Sequence, residues 1–226
     1  MIDIDDILEH IHIDATAGIW CAADTDTPDL ASVADFVVSR CLRDISVAPA
    51  AVPIVWPWLE RTNVQISARF YLSPSGRTIT FDDVSNIATR INLAFKQGAG
   101  AAQVFMRLAD VAPFAQNISP IRSDLFFNKD LVVGLNIGEI NPSDWPELIK
   151  NLNHIGAALL LVLPQDKGLK SDFVGRAYGL LDGPVEKFNG ALHWYLGESA
   201  SRIEQVERLT TALQPQMISR LKFWIH

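Results

Sequence analysis

The chain has 226 residues, of which 49% are hydrophobic and 20% are charged, a composition ordinary for a protein with a substantial single core. Its formal net charge of -7 gives no basic surface, which argues against nucleic acid and membranes as partners. The first residues are acidic, where a secretory signal would be basic, and no apolar run reaches about 18 residues, so we expect a cytoplasmic protein.

Apolar runs alternate with amphipathic segments along the chain. Apolar residues at helical spacing predict a short helix over residues 3–11, ahead of the first strand. Eight strands are predicted, at residues 18–23, 44–48, 64–72, 103–108, 131–137, 158–163, 191–196 and 220–225. Helices are predicted between them, ending near residue 42 and then over residues 81–97, 141–156, 171–181 and from about residue 199.

Proline limits the helices in two connecting segments. Three prolines between residues 49 and 61 predict a short helix that is broken at its start. Residues 109–130, which contain Pro113 and Pro120, are expected to form a short helix or two. No helix is predicted after the eighth strand.

Repeated strand and helix units predict parallel pairing, and eight of them over this length predict a single (β/α)8 TIM barrel domain spanning residues 1–226. A doubly wound sheet is disfavoured because the first turn is not rich in glycine. The missing last helix leaves an outer groove on the barrel. Either the N-terminal helix or a second copy of the chain fills it, so a homodimer is one of two alternatives.

From Gly18 to about Leu108 the order of features resembles the deoxyribose-phosphate aldolase-like barrels of the class I aldolase group. Residues 45–53 (ISVAPAAVP) match a second strand that leads into a short helix, and a Gly-Ala precedes strand four as in that family. The resemblance implies a TIM barrel with a Schiff-base lysine on strand six, a second lysine on strand seven and an aspartate on strand four.

None of these three residue types is retained. Strand six has leucine at residues 159–161, strand seven has His193 or a neighbour, and strand four has Gln103. The glycine-rich phosphate loops expected after strands seven and eight are absent as well. The sequence therefore predicts that the Schiff-base chemistry of the family is lost, and that no cofactor is needed.

The mixed-polarity face of each strand is predicted to face the barrel interior, with a ligand site at the C-terminal ends of the strands. The predicted substrate-binding residues are Asp24, Arg69, Tyr71, Arg107, Asn136 and Tyr195. Two arginines in one pocket need an offsetting anion, either a small carboxylate or phosphate ligand or an internal carboxylate. Asp24 and Glu139 are the nearest internal candidates, so both alternatives stay open.

His193 is a candidate general base because an unperturbed histidine titrates near neutrality, and Glu198, after strand seven, is a second acid–base candidate. A hydrogen-bonded core histidine and a surface carboxylate are the simpler interpretations. No histidine has metal-ligand spacing, so no tightly bound metal is expected. The predicted function is a divergent aldolase-like barrel, a lyase or an isomerase if it is an enzyme, that binds a small anionic metabolite; the alternative is a non-catalytic binding or assembly module.

Overall fold

Eight parallel strands form a closed barrel, in sequence order, in a computed structural model of the chain. The structure describes residues 11–14, 30–72, 76–125, 129–162, 173–195 and 200–225. The strands are β1 Ile11–Asp14, β2 Asp44–Val47, β3 Gln65–Tyr71, β4 Ala101–Phe105, β5 Asp130–Asn136, β6 Ala158–Val162, β7 Leu192–Tyr195 and β8 Leu221–Ile225. Because β1 pairs with both β2 and β8, the barrel is closed and the (β/α)8 prediction is confirmed.

Among the described residues, seven α-helices lie between the strands. They are α1 Leu30–Ser39, α2 Val52–Leu59, α3 Phe81–Lys96, α4 Val111–Leu125, α5 Trp145–Ile155, α6 Phe173–Leu181 and α7 Ala200–Leu213. A short 3-10 turn, Pro49–Ala51, precedes α2, as the prolines of that segment predict. Within the described chain, none of these helices has the length and apolar character needed to cross a membrane.

The main hydrophobic core lies between the outer face of the barrel and the helices. Ile66, Ala68 and Phe70 alternate along β3 and are each at most 1% exposed. The alternating residues Ser67 and Arg69 face the barrel interior, where they bond to β2 and β4. The period of two in the sequence therefore separates the helix-facing side chains from those inside the barrel.

The first strand lies earlier than predicted. Residues 11–14 pair with β2 and β8, so Ile11 belongs to a strand and not to the end of a helix. Residues 18–23, where strand one was predicted, lie outside the described residues, as do residues 1–10. The error arises because Ile11 continues a helical spacing of apolar residues, and a run of four residues is too short for its own period to be recognised.

Residues 111–125 form one continuous helix, α4, rather than a short helix or two. Pro113 lies in the first turn of α4, where a backbone N–H has no partner within the helix and its loss breaks no bond. Pro120 lies inside the helix. The two prolines therefore do not interrupt this helix, contrary to the prediction of a short helix or two.

Candidate functional site

Arg69 and Gln103 lie next to each other inside the barrel, on β3 and β4. The Nε of Arg69 donates to Oε1 of Gln103 at 3.2 Å, and Oγ of Ser46 donates to the same oxygen at 2.9 Å. Both donors thus identify Oε1 as the amide oxygen of Gln103, and Nε2 is the amide nitrogen, which can only donate. That Nε2 is buried and has no hydrogen-bond partner among the described residues. An unsatisfied buried donor of this kind costs about 1–3 kcal/mol.

Aromatic rings surround the Arg69 guanidinium toward the C-terminal ends of the strands. Its Cζ lies 4.7 Å from the ring centroid of Phe105 and 5.8 Å from that of Tyr195. The ring of Tyr71 stacks on Phe105 with the centroids 5.2 Å apart. The structure therefore brings together three of the predicted binding residues, Arg69, Tyr71 and Tyr195, with Phe105 between them.

Arg107 does not lie on a strand, since β4 ends at Phe105 and the chain turns into a 3-10 turn at Leu108. Its guanidinium donates to both carboxylate oxygens of Asp110, from Nε at 2.7 Å and from Nη2 at 3.0 Å. These bonds, with a smaller contribution from Glu139, raise the pKa of Arg107. The carboxylate partner expected from the sequence was Asp24 or Glu139; among the described residues the guanidinium binds the carboxylate of Asp110, three residues further along the chain.

Asn136 is the last residue of β5, and its side chain bonds to the backbone of the turn that follows. Its Oδ1 accepts a hydrogen bond from the backbone N–H of Gly138 at 2.9 Å and so caps the following 3-10 turn. Asp24 and Glu198, the other two predicted site residues, lie outside the described residues. Their predicted roles stay predictions.

His193 is buried on β7, and its Nδ1 accepts a hydrogen bond from Nε1 of Trp224 at 3.3 Å. Nδ1 is therefore hydrogen-bonded within the barrel, and the role of His193 as a general base stays a prediction. Trp224 belongs to an apolar interior cluster with Val132 and Leu160. Sequence patterns missed this pair because the two residues are 31 positions apart and lie on different strands.

The positions that the aldolase resemblance makes important are apolar or uncharged. On β6, residues Ala158–Val162 contain no lysine, and Leu160 is fully buried in the interior cluster. Gln103 occupies the interior of β4, where the resemblance to the aldolases implies an aspartate. Among the described residues, no group of histidine, cysteine, aspartate or glutamate side chains is arranged to hold a metal ion.

A second polar group lies at the N-terminal ends of the strands. Asp44, the first residue of β2, accepts hydrogen bonds from Ser67 Oγ at 3.0 Å and from Lys222 Nζ at 3.2 Å. Burial raises the pKa of Asp44 to about 6, although Lys222 and Ser67 act in the opposite direction. No pattern in the sequence points to Asp44 or to its pairing with Lys222. The two residues are separated by nearly the whole chain.

The fold is similar to that of several solved structures. They include the deoxyribose phosphate aldolase from Aeropyrum pernix (TM-score 0.66, 11% identity, 99% of this chain and 88% of that chain). Another is QR15, described as an aldolase (TM-score 0.61, 10% identity, 100% and 92%). A third is the carboxyl transferase domain of Rhizobium etli pyruvate carboxylase (TM-score 0.64, 13% identity, 96% and 40%). No protein-family model matches the sequence, and the comparison with curated proteins gives no match. These similarities establish an aldolase-like TIM barrel fold.

Proposed function

We propose that this aldolase-like barrel binds a small anionic metabolite in the C-terminal half of its interior. Arg69 and Gln103 supply the polar contacts, and Tyr71, Phe105 and Tyr195 form the walls. The observation that supports this proposal most is the buried donor Nε2 of Gln103 beside the Arg69 guanidinium. A carboxylate or phosphate oxygen would accept a hydrogen bond from this amide and offset the charge of the arginine.

The aromatic rings suit such a ligand because they exclude water from the cation without neutralising it. A guanidinium in a poorly solvated place interacts more strongly with an anion than one on the surface. Arg69 is 8% exposed, whereas the Arg107 side chain is 42% exposed and bonded to Asp110. We therefore assign the anion contact to Arg69 and a structural role in its own loop to Arg107.

The proposed binding does not use a Schiff base. The described part of β6 offers leucine and valine where the related aldolases have lysine, and His193 on β7 is bonded to Trp224. Borohydride treatment of the chain with small aldehydes and ketones is expected to leave no covalent adduct at β6 or β7. A trapped adduct on an interior lysine would contradict this part of the proposal.

A thermal-shift screen with phosphorylated and carboxylated metabolites tests the binding itself. We expect at least one compound to raise the unfolding temperature of the wild-type chain. The same compound should give a smaller shift with Arg69→Gln and with Gln103→Glu, since the second variant places a carboxylate beside Arg69. Arg208→Gln is the matched control, because Arg208 pairs with Glu204 on the outer helix α7.

A second candidate, an assembly module, is favoured by an apolar surface on α1 and α2. Phe36 on α1 and Ile54 and Trp58 on α2 are 46–52% exposed, and the two helices contact each other. We propose a second copy of the chain as the partner of this surface. Light scattering after size exclusion should show a dimer that Trp58→Glu dissociates; a wild-type monomer at high concentration would contradict the proposal.

A further inference from the structure

A cavity of about 360 Å³ opens at the N-terminal end of the barrel, opposite the site proposed above. The position follows from its lining, which includes the first residues of five strands: Asp44, Gln65, Ala101, Asp130 and Ala158. Its volume falls in the range of about 300–1,000 Å³ typical of small-molecule sites.

The two carboxylates of this cavity have protein donors. Asp44 accepts from Ser67 and from Lys222, as described above. Asp130 accepts from Nε2 of Gln65 at 3.0 Å. The negative charge at this end of the barrel is therefore partly satisfied within the chain.

Two cations of the lining are held differently. Nζ of Lys129 donates to the backbone oxygen of Ala99 at 3.1 Å, and Nη2 of Arg122 donates to that of Gly156 at 2.9 Å. A carbonyl oxygen orients a cation but does not neutralise it. Neither residue forms an ion pair with any carboxylate of the described residues, and both side chains are half-buried. Burial lowers the pKa of Arg122 even though Asp130 acts in the opposite direction.

We infer that this cavity is a second binding site, for a small anion that presents a carboxylate or phosphate group to Lys129 and Arg122. The cavity lining has three cationic side chains, the third being Lys222, and two acidic ones, so an anion improves its charge balance. Bonds from a guanidinium and an ammonium to one anion are short and strong. The inference does not depend on the function proposed for the opposite end of the barrel.

Isothermal titration calorimetry of the full chain with succinate and with inorganic phosphate tests this inference. The Arg69→Gln variant serves as the background, so that the heat does not come from the C-terminal half of the barrel. We expect one of the two anions to bind, and erythritol, a neutral four-carbon compound of similar size to succinate, not to bind. Adding Lys129→Gln or Arg122→Gln should each lower the affinity about tenfold.

Lys150→Gln is the matched control, since Lys150 forms an exposed ion pair with Glu147 on α5 and its loss changes the net charge equally. Ala158→Leu provides a second variant that keeps every charge and fills the cavity; it should abolish binding. Unchanged affinity in the Lys129 and Arg122 variants would overturn the inference, as would equal binding of erythritol. Loss of all anion binding on Arg69→Gln alone would overturn it as well, while supporting the function proposed for the other end.

Discussion

The guanidinium of Arg69 lies over the ring of Phe105, with Cζ 4.7 Å from the ring centroid. A cation–π contact of a desolvated guanidinium contributes about 2 kcal/mol. The ring has room at this place because the next strand has Gly134 opposite it in the register, and a Cβ there would lie 2.6 Å from Phe105 Cδ1. The position of the cation thus depends on a glycine on another strand.

Replacing Gly134 by alanine is expected to destabilise the chain. The added methyl group overlaps the Phe105 ring, so the ring must shift and the contacts of Arg69 and Tyr71 with it are disturbed. Overpacking of this kind costs about 1–3 kcal/mol. Urea denaturation followed by far-UV circular dichroism measures the change in the free energy of unfolding.

Gly179→Ala is the control for this variant. Gly179 lies in α6, and a Cβ there meets only Pro142 and Trp145, each at 4.0 Å. Alanine has the higher helix propensity, so this substitution should stabilise the chain by up to about 1 kcal/mol. If Gly134→Ala is as stable as Gly179→Ala, the packing of Phe105 is not restricted in the way described.

Arg107→Gln is expected to lower stability and leave anion affinity unchanged. Asp110 is 1% exposed, and the substitution removes both guanidinium bonds from its carboxylate. A buried carboxylate that loses its partner is destabilising, so the midpoint of thermal unfolding should fall by several degrees. Arg107→Gln with Asp110→Asn should recover part of the loss. A large loss of anion affinity with no loss of stability would instead favour Arg107 as a ligand contact.

Asp44 predicts a pH dependence of stability with a defined sign. Its pKa is raised from 3.8 to about 6, so the folded chain binds more protons than the unfolded chain between these values. The stabilising contribution of this group is therefore fully present below about pH 3.8 and is lost as the pH rises through about 6. A shift of this size corresponds to about 3 kcal/mol.

The Asp44→Asn variant isolates this contribution, because the remaining carboxylates are common to both chains. The free energy of unfolding of the wild-type chain should decrease relative to that of Asp44→Asn between about pH 4 and pH 7. Measuring urea denaturation at four pH values across this interval gives the difference. A constant difference, or one that grows in favour of the wild type, would show that the pKa of Asp44 is not raised in the folded state.

The sequence was sufficient to predict the barrel and most of its strands. In β3, polar and apolar residues alternate, and the apolar set Ile66, Ala68 and Phe70 is the buried outer face. Alternation is a local property of the sequence, so a strand can be predicted from it without knowing which strands lie beside it. The strand with the weakest local pattern, β1, was misplaced, and its assignment rests on its pairing with β2 and β8.

The candidate site was predicted only in part, since its bonds connect strands distant in sequence. Arg69, Tyr71 and Tyr195 were predicted because they lie on the mixed-polarity faces of their strands. The structure places Arg69 and Tyr71 beside Phe105, and Tyr195 beside the Arg69 guanidinium. The sequence did not predict that Arg107 lies apart from these three residues, because this depends on where β4 ends and the following turn begins. Lys222 and Asp44, at the other end, meet only through closure of the barrel.

The affinity for an anion at Arg69 tests the central claim most directly. Calorimetry is performed on the Lys129→Gln chain, which weakens the N-terminal cavity, with the compound that stabilises the wild type most in the screen. Adding Arg69→Gln or Gln103→Glu should lower the affinity by at least about tenfold, while Arg208→Gln should leave it unchanged. A folded Arg69→Gln chain that retains the full affinity would contradict the proposed anion site.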